Sequence, residues 1–225
     1  NKNSKIIFLN SQLLIDSKIA NPKQKLQLLV IPNGVDTELF NHEASKKKGQ
    51  ILFLGNIKRF NNDRNLKFII DCFKIDEIQE KFNLKIIGGD HSSVKNLISY
   101  VENNSLSQKI DILENVSRKE AITYLESSET GLLINSDSNK HSTHYTSPLK
   151  YFEYLYGGLK ILGVDFPAHK RLPFSNNIIF FKNNDSESFK NALNKIDQTE
   201  KLDKNLLKEV TLDSRIKKII KFISS

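Results

Sequence analysis

The chain of 225 residues carries a formal net charge of +8, with 38% hydrophobic and 27% charged residues, as is typical of an ordinary soluble globular protein. No apolar run approaches the roughly 20 residues of a membrane-spanning helix. The single cysteine, Cys72, excludes an internal disulfide and fits a reducing compartment.

Short apolar runs at fairly regular spacing predict strands, and most of them are continuous instead of alternating. They lie at residues 6–9, 28–31, 51–54, 84–87, 110–113, 132–134, 161–164 and 178–181. Continuous runs are typical of strands buried on both faces, as in parallel sheets.

Helical patterns fill the gaps between the strands. Apolar residues spaced i, i+3, i+4 and i+7 indicate helices over 66–73, 94–101 and 189–196. Ser117 and Glu120 form a capping-box pattern ahead of another helix, and Asp213 is expected to cap the last one. Alternation of strand and helix predicts the α/β class, with a Rossmann-like doubly wound parallel sheet. Ligands of such sheets bind at the carboxyl ends of the strands, near the topological switch point.

One boundary interrupts this pattern. The segment VIPNGVDTELF (30–40) is a turn-rich connector that precedes a charged stretch and a fresh strand. We interpret residues 1–40 as the last strand and helix of a preceding unit plus a linker, and residues 41–225 as a complete domain. The first residues form no signal-peptide pattern and the sequence contains no methionine, so we expect a piece of a longer protein.

The loop GNIKRFNNDRN (55–65) follows the third strand. Gly55 allows close approach of a ligand to the backbone, and Asn62 or Asp63 is expected to cap the next helix. The loop offers three cations: Lys58, Arg59 and Arg64. A cationic loop at a helix N-terminus suits a diphosphate, although a solvated basic loop explains the same pattern.

Two further loops follow strands. Gly88 and Gly89 allow a tight turn, after which Asp90 or Ser92 can cap a helix. We favour a structural role in this turn for Asp90 over a role in ligand binding. The loop ENVSRKE (114–120) offers backbone groups that could hydrogen-bond the edge of a base.

A long polar loop after residue 134 leads into SPLKYFEY. Loops of more than about 12 residues in a compact domain are usually functional or disordered. Pro148 fits the first helical position, with Ser147 as the N-cap. Glu153 then lies toward the loop mouths, where two ligand hydroxyls would satisfy its carboxylate. A surface glutamate that improves the helix dipole is the alternative.

His141 and His144, with Asp137 nearby, make a metal site conceivable. Two histidines on a loop more often bind no metal, so we expect none here.

Several segments in order resemble GT-B fold glycosyltransferases, especially the retaining family 4 enzymes. VIPNGVDTELF resembles their interdomain connector, ILFLGN the first strand of their C-terminal nucleotide-sugar domain, LKIIGGD its second strand, and SPLKYFEYLYGGLKIL its ribose-binding helix. In that family two Rossmann-like domains face each other across a cleft. A basic pair neutralises the leaving diphosphate, so the resemblance implies no metal and no cofactor.

The resemblance assigns roles residue by residue. Glu153 matches the family's ribose-binding glutamate, whereas Tyr145 stands where a sugar-binding glutamate is usual and Asn56 stands where an arginine is usual. Arg59 and Arg64 are the implied catalytic cations. The implied substrate-binding residues are Gly55, Asn56, Lys58, Gly88, Asn115, Val116, Tyr145, Thr146, Ser147, Lys150 and Glu153.

The resemblance implies a hexosyltransferase-like enzyme that moves a sugar, with retention, from a nucleoside diphosphate sugar to a glycan or lipid-linked acceptor. Products would be polysaccharide, lipopolysaccharide or another glycoconjugate of a bacterial type. We expect a cytoplasmic protein, compatible with the inner face of the membrane, and expect this piece alone to be inactive.

Two alternatives remain open at this point. The departures at Asn56 and Tyr145 also fit a nucleotide-sugar-binding module without catalysis. The net charge of +8 also fits a domain that binds nucleic acid or an acidic membrane. No nucleic-acid-binding module is recognisable in the sequence, so no nucleic-acid partner is expected.

Overall fold

The computed structural model describes residues 4–20, 27–42, 44–59, 62–199 and 202–225, and it describes only the backbone of residues 18–20, 59 and 204. The strands are β1 (Lys5–Phe8), β2 (Gln27–Val30), β3 (Lys47–Leu54), β4 (Lys58–Arg59), β5 (Asn62–Asp63), β6 (Asn83–Ile87), β7 (Ile110–Leu113), β8 (Ser128–Leu133), β9 (Lys160–Val164) and β10 (Ile178–Phe181). All eight predicted strands are confirmed; only the antiparallel pair β4–β5 was not predicted.

Helices connect the strands. They are α1 (Ser11–Ala20), α2 (Leu66–Cys72), α3 (Asp76–Lys81), α4 (His91–Asn103), α5 (Arg118–Ser127), α6 (Leu149–Tyr156), α7 (Pro167–Lys170), α8 (Ser186–Asn194), α9 (Lys204–Leu207) and α10 (Leu212–Ser224). Shorter turns are the π-helical turn His141–Tyr145 and the 3-10 turns Ser175–Asn177, Ile196–Gln198 and Lys208–Val210.

The central sheet has six strands in the order β10-β9-β8-β3-β6-β7, and every neighbouring pair is parallel. The chain runs outward from β3 to β6 and β7, then crosses back to β8 on the other side of β3 and continues to β9 and β10. This is the doubly wound order, and it confirms the predicted fold class. The switch point lies between β3 and β8, so their carboxyl ends bound a crevice. Strands β1 and β2 form a separate parallel pair.

The core is divided between the two faces of the sheet. Ile51 and Phe53 of β3 belong to one apolar cluster and Leu52 to the other, and none of the three is exposed. Successive side chains of a strand point to opposite faces, so a strand covered on both sides must be apolar throughout. That requirement explains the continuous runs in the sequence.

Helix α6 packs on this sheet at a glycine. Tyr154 is fully buried, and a Cβ on Gly131 of β8 would overlap its ring. The absence of a side chain at Gly131 therefore lets α6 approach the sheet, which fixes the side chains of α6 relative to the crevice.

Two predicted helix caps are confirmed. Ser117 accepts from the Glu120 amide at 3.3 Å while the Glu120 carboxylate accepts from the Ser117 amide at 2.9 Å, which is a complete capping box. Asp90 accepts from the Ser93 amide at 2.9 Å and caps α4, so Ser92 does not.

Three other cap predictions were wrong. The N-cap of α2 is Asn65, because Asn62 and Asp63 form β5. The N-cap of α6 is Pro148, whose ψ of 126° is extended, and the hydroxyl of Ser147 accepts instead from the Asn33 amide. The N-cap of α10 is Thr211, so Asp213 already lies inside the helix. At Ser147 a contact with the distant connector engages the hydroxyl that a cap would use, whereas Thr211 caps α10 locally by accepting from the Ser214 amide at 3.2 Å.

The connector and the C-terminal segment run side by side. Val35 and Thr211 form a parallel bridge: the Val35 amide donates to the Val210 carbonyl and the Leu212 amide to the Val35 carbonyl, both at 2.8 Å. We call this crossing of the two segments the pinch.

Glu126 of α5 anchors the chain just beyond the connector. Its buried carboxylate accepts from the amides of Asn41 and His42, at 3.0 and 2.7 Å. Hydrogen bonds at Val35, and again at Asn41 and His42, therefore hold the chain in place before it enters the central sheet.

Candidate functional site

A cavity of about 670 Å³ lies at the carboxyl ends of β3, β6 and β8, next to the switch point. Its lining comprises Leu9, Asn33, Leu54, Gly55, Arg64, Ile87, Gly88, Asn115, Val116, Arg118, Ala121, Ile134, Asn135, His141, Tyr145, Thr146, Ser147, Pro148, Leu149, Lys150 and Glu153. This is the position at which doubly wound sheets bind ligands, and the volume is that of a typical small-molecule site.

Two glycines shape one edge of the cavity. Gly55 and Gly88 follow β3 and β6 with φ of 129° and 115°, a region that only glycine adopts readily. A Cβ on Gly88 would lie 2.8 Å from the Gly55 carbonyl oxygen. Side chains at these positions would therefore disrupt the two turns and fill the space beside them.

Helix α6 contributes a cation and a carboxylate, Lys150 and Glu153. The two are three residues apart and so lie on one face of the helix. Lys150 is only 8% exposed, and its ammonium lies 3.7 Å from the centroid of the Phe53 ring. The same nitrogen is 3.5 Å from the point that a Cβ on Gly55 would occupy. The cation therefore faces the glycine edge of the cavity.

Glu153 contacts the opposite wall. Arg118 Nη1 donates to Glu153 Oε1 at 2.6 Å, and the glutamate side chain is 15% exposed. The charged pair bridges α5 and α6 across the mouth of the cavity.

Tyr154 fixes α6 above the end of β3. Its hydroxyl accepts from the Leu54 amide at 3.0 Å. Burial raises the pKa of Tyr154 strongly, while the Glu153 carboxylate raises it further and the Arg64 guanidinium lowers it. The phenol is thus neutral, and both charged groups lie close enough to act on it.

The far wall is built by the π-turn segment together with the connector and the chain that precedes it. The Asn33 side-chain amide donates to the Ser147 carbonyl at 2.6 Å, and the Asn10 amide donates to the Thr146 carbonyl at 3.5 Å. The Tyr145 hydroxyl donates to the carboxylate of Asp16, which lowers the pKa of Asp16. The polar loop is therefore ordered by contacts with residues more than one hundred positions away.

His169, on α7, is fully buried. Its Nδ1 donates to the Val164 carbonyl at 2.9 Å. Burial, with a smaller effect from the Lys150 ammonium, lowers the pKa of His169 to about 4. The imidazole is neutral at physiological pH, so the cation at this edge of the cavity is the ammonium of Lys150.

The structure brings ten of the thirteen predicted site residues to this one cavity. They are Gly55, Arg64, Gly88, Asn115, Val116, Tyr145, Thr146, Ser147, Lys150 and Glu153. Asn56 and Lys58 are exposed and are not among the lining residues. The side chain of Arg59 lies outside the described residues.

Sequence reasoning missed four polar lining residues, Asn33, Arg118, Asn135 and His141, the last of which it considered only as a metal ligand. Arg118 and Asn135 each follow a strand of the sheet, in segments that were already singled out, so the rule that directs attention to strand ends could have found them. Asn33 lies in the connector and carried no comparable signal.

His144 and Asp137, two of the residues considered for a metal, engage other partners. His144 Nδ1 lies 2.7 Å from the Thr143 hydroxyl, and the Asp137 carboxylate accepts from the Asn183 amide instead. Across the described ranges, no group of three or more His, Cys, Asp or Glu side chains could hold a metal ion.

The helices that the structure describes include none with both the length and the apolar character required to cross a bilayer.

Comparison with solved structures gives matches that cover nearly the whole chain at low sequence identity. A sucrose-phosphate synthase from Thermosynechococcus elongatus is 12% identical with a TM-score of 0.69, over 98% of this chain and 57% of that one. The pneumococcal O-GlcNAc transferase GtfA is 15% identical with a TM-score of 0.63, over 98% and 45%. The lipopolysaccharide outer core galactosyltransferase WaaB is 14% identical with a TM-score of 0.67, over 96% and 60%. These likenesses show the fold, that of GT-B glycosyltransferases, and the chain spans about half the length of the proteins it matches.

A search of curated protein sequences finds no match. A family model, by contrast, matches residues 36–211, from the pinch through all six strands of the central sheet and back to the pinch. That span is most of the chain, and the family is described as glycosyl transferases group 1. The chain therefore belongs to the glycosyl transferases group 1 family.

Proposed function

We propose that the cavity binds the nucleoside diphosphate of a sugar donor. The observation that carries this proposal is the pair Lys150 and Glu153, which present a cation and a carboxylate on one face of α6, above the Gly55 edge of the cavity. A diphosphate requires cations and a ribose requires an acceptor for its hydroxyls, so this pair matches two neighbouring parts of one ligand.

The diphosphate lies, in this proposal, between Gly55 and the N-terminus of α6. Lys150 and Arg64 supply positive charge, and the helix N-terminus adds its partial charge. Arg59 remains a further expected contributor. Breaking the bond between sugar and phosphate leaves negative charge on the diphosphate, and cations placed beforehand stabilise that charge in the transition state.

The ribose and base extend toward β7. Glu153 accepts hydrogen bonds from the ribose hydroxyls, and the loop with Asn115 and Val116 lies against the base. The Asn115 side chain already accepts from the Gly89 amide at 3.2 Å, which ties this loop to the glycine turn after β6. No metal or cofactor is assigned a role in the proposal.

The reaction proposed is transfer of a sugar from the nucleoside diphosphate to a glycan or lipid-linked acceptor, with retention of the anomeric configuration. GtfA was crystallised with UDP and GlcNAc, which makes UDP the first nucleotide to test. We assign donor binding to residues 41–225, and residues 1–40 to the end of an acceptor-side domain plus the interdomain linker. Since the chain spans about half of its structural relatives, we expect donor binding without transfer by this polypeptide alone.

A donor-binding module without catalysis is the second candidate. The observation that favours it is Tyr145, whose hydroxyl is engaged by Asp16 at the position where the family usually has a sugar-binding glutamate. Tight binding of a donor without transfer or hydrolysis, in a protein with its acceptor-side partner domain, would distinguish this candidate from an active enzyme.

Titration calorimetry with UDP, GDP and ADP tests donor binding directly. We expect one of them to bind the wild type, and Glu153→Ala to bind it at least roughly tenfold more weakly, as loss of a charged hydrogen-bond partner implies. Glu102→Ala, at an exposed glutamate on α4, is the matched control. Failure of all three nucleotides to bind, or equal binding by Glu153→Ala, would refute the proposal.

A further inference from the structure

The proposed ribose acceptor is already held by a second side chain. Arg118 Nη1 donates to Glu153 Oε1 at 2.6 Å, with Arg118 44% and Glu153 15% exposed. Arg118 is the first residue of α5, and its backbone is fixed by the capping box of Ser117 and Glu120. A rigid helix start on one wall therefore orients a carboxylate on the other.

The pair leaves acceptor capacity on the carboxylate. Among the described residues, the hydrogen bonds of the Glu153 side chain are confined to Oε1. Oε2 and the second lone pair of Oε1 remain available, and a carboxylate provides about four acceptor sites in total. A vicinal diol, such as that of ribose, can bind to this carboxylate without displacing Arg118.

The position of Arg118 favours contact with the ribose side of the ligand over the diphosphate. Arg118 follows β7, whereas Gly55 and Lys150 mark the end of β3, and β6 lies between these strands. Arg118 contacts the Glu153 carboxylate, whereas the Lys150 ammonium lies against the Phe53 ring and beside Gly55, so the two cations act on different parts of the cavity.

We propose that Arg118 is a positioning residue that holds the Glu153 carboxylate oriented for a ribose diol, so that discrimination between ribonucleotide and deoxyribonucleotide diphosphates depends on Arg118. This inference rests on the proposed function of the cavity. Its physical basis is pre-organisation: a side chain that is ordered before binding loses less conformational freedom when the ligand arrives. The Arg118 side chain is 44% exposed and screened by water, so the ion pair adds little to stability and the effect of Arg118 falls on binding.

The test compares each nucleoside diphosphate with its 2′-deoxy analogue in calorimetry. Of UDP, GDP and ADP, the one that binds wild type most tightly is used with dUDP, dGDP or dADP accordingly. We expect the wild type to prefer the ribose form at least tenfold. Arg118→Ala should reduce this preference to about threefold or less, as should Glu153→Ala, and the double variant should show no further loss. Arg118→Lys should retain part of the preference.

Lys119→Ala is the matched control, since Lys119 is the exposed neighbour of Arg118 and does not line the cavity. It should keep the full preference for ribose, and all variants should unfold at the wild-type temperature. If Arg118→Ala weakens the ribose and deoxyribose forms by the same factor, or leaves both unchanged, the positioning role is overturned while nucleotide binding stands. If no nucleotide binds the wild type, the proposed function falls and the inference falls with it.

Discussion

Replacement of Lys150 by methionine tests the site most directly, because it removes the charge while keeping an unbranched side chain. Lys150 is 8% exposed and its ammonium lies against the Phe53 ring, so water screens it weakly. A hydrogen bond to a charged group contributes about 1.5–3 kcal/mol, which corresponds to roughly 10- to 100-fold in affinity. We therefore expect Lys150→Met to bind UDP, or whichever nucleoside diphosphate binds the wild type, 10- to 100-fold more weakly.

The assay is titration calorimetry with the diphosphate and the corresponding monophosphate, alongside thermal unfolding. The monophosphate should lose less affinity than the diphosphate, because the proposed contact is with the phosphates nearest Gly55. Burying a charge is costly, so the unfolding temperature of Lys150→Met should equal or exceed that of the wild type. Lys195→Met, at an exposed lysine that does not line the cavity, is the control and should bind as the wild type does. Diphosphate affinity within threefold of wild type in Lys150→Met, or an equal loss in Lys195→Met, would refute the reasoning.

The remaining predictions concern the scaffold. The pKa of His169 is lowered from 6.5 to about 4, so between these two pH values the unfolded chain is protonated at His169 while the folded chain is not. The free energy of unfolding should therefore fall by roughly 3 kcal/mol as the pH drops from 6.5 to 4. Urea titrations of His169→Asn should lack this pH-dependent loss. Gly131→Ala should lower the free energy of unfolding by about 1–3 kcal/mol, because its methyl group overlaps Tyr154. The control is Gly158→Ala, whose methyl group meets no neighbour and which carries only the backbone strain of φ 69°. A loss in Gly131→Ala no larger than that in Gly158→Ala would contradict the prediction. Burial raises the pKa of Cys72 to about 12, so a thiol reagent at pH 8 should label it only after unfolding; rapid labelling of the native protein would show that the site opens.

Much of the fold could be predicted from the sequence because each strand of the central sheet is covered on both faces. Such strands must be apolar at every position, as β3 shows with Ile51, Leu52 and Phe53, and this leaves a mark in the sequence that needs no tertiary information. The capping box of Ser117 and Glu120 is equally local, since both partners lie within one turn.

The failures share a different cause. The residues next to Ser147 give no sign that it is not the cap of α6. Its hydroxyl accepts instead from the amide of Asn33, which lies 114 residues earlier in the chain. The partner of Glu153 was missed for the same reason: Arg118 lies 35 residues away and meets it only once α5 and α6 are placed on the sheet. Side chains whose roles depend on distant segments carry little signal in their own stretch of sequence.

The pinch has a practical consequence for protein engineering. Val35 and Thr211 face each other in a parallel bridge, in which Val35 is hydrogen-bonded to Val210 and Leu212, and the family model begins and ends at the same place, spanning 36–211. A domain whose chain enters and leaves at neighbouring positions can be inserted into another protein with little strain. Chimaeras joined at these two positions should therefore move Gly55, Lys150 and Glu153 together from one host to another, while the host supplies the wall that Leu9 and Asn33 contribute here.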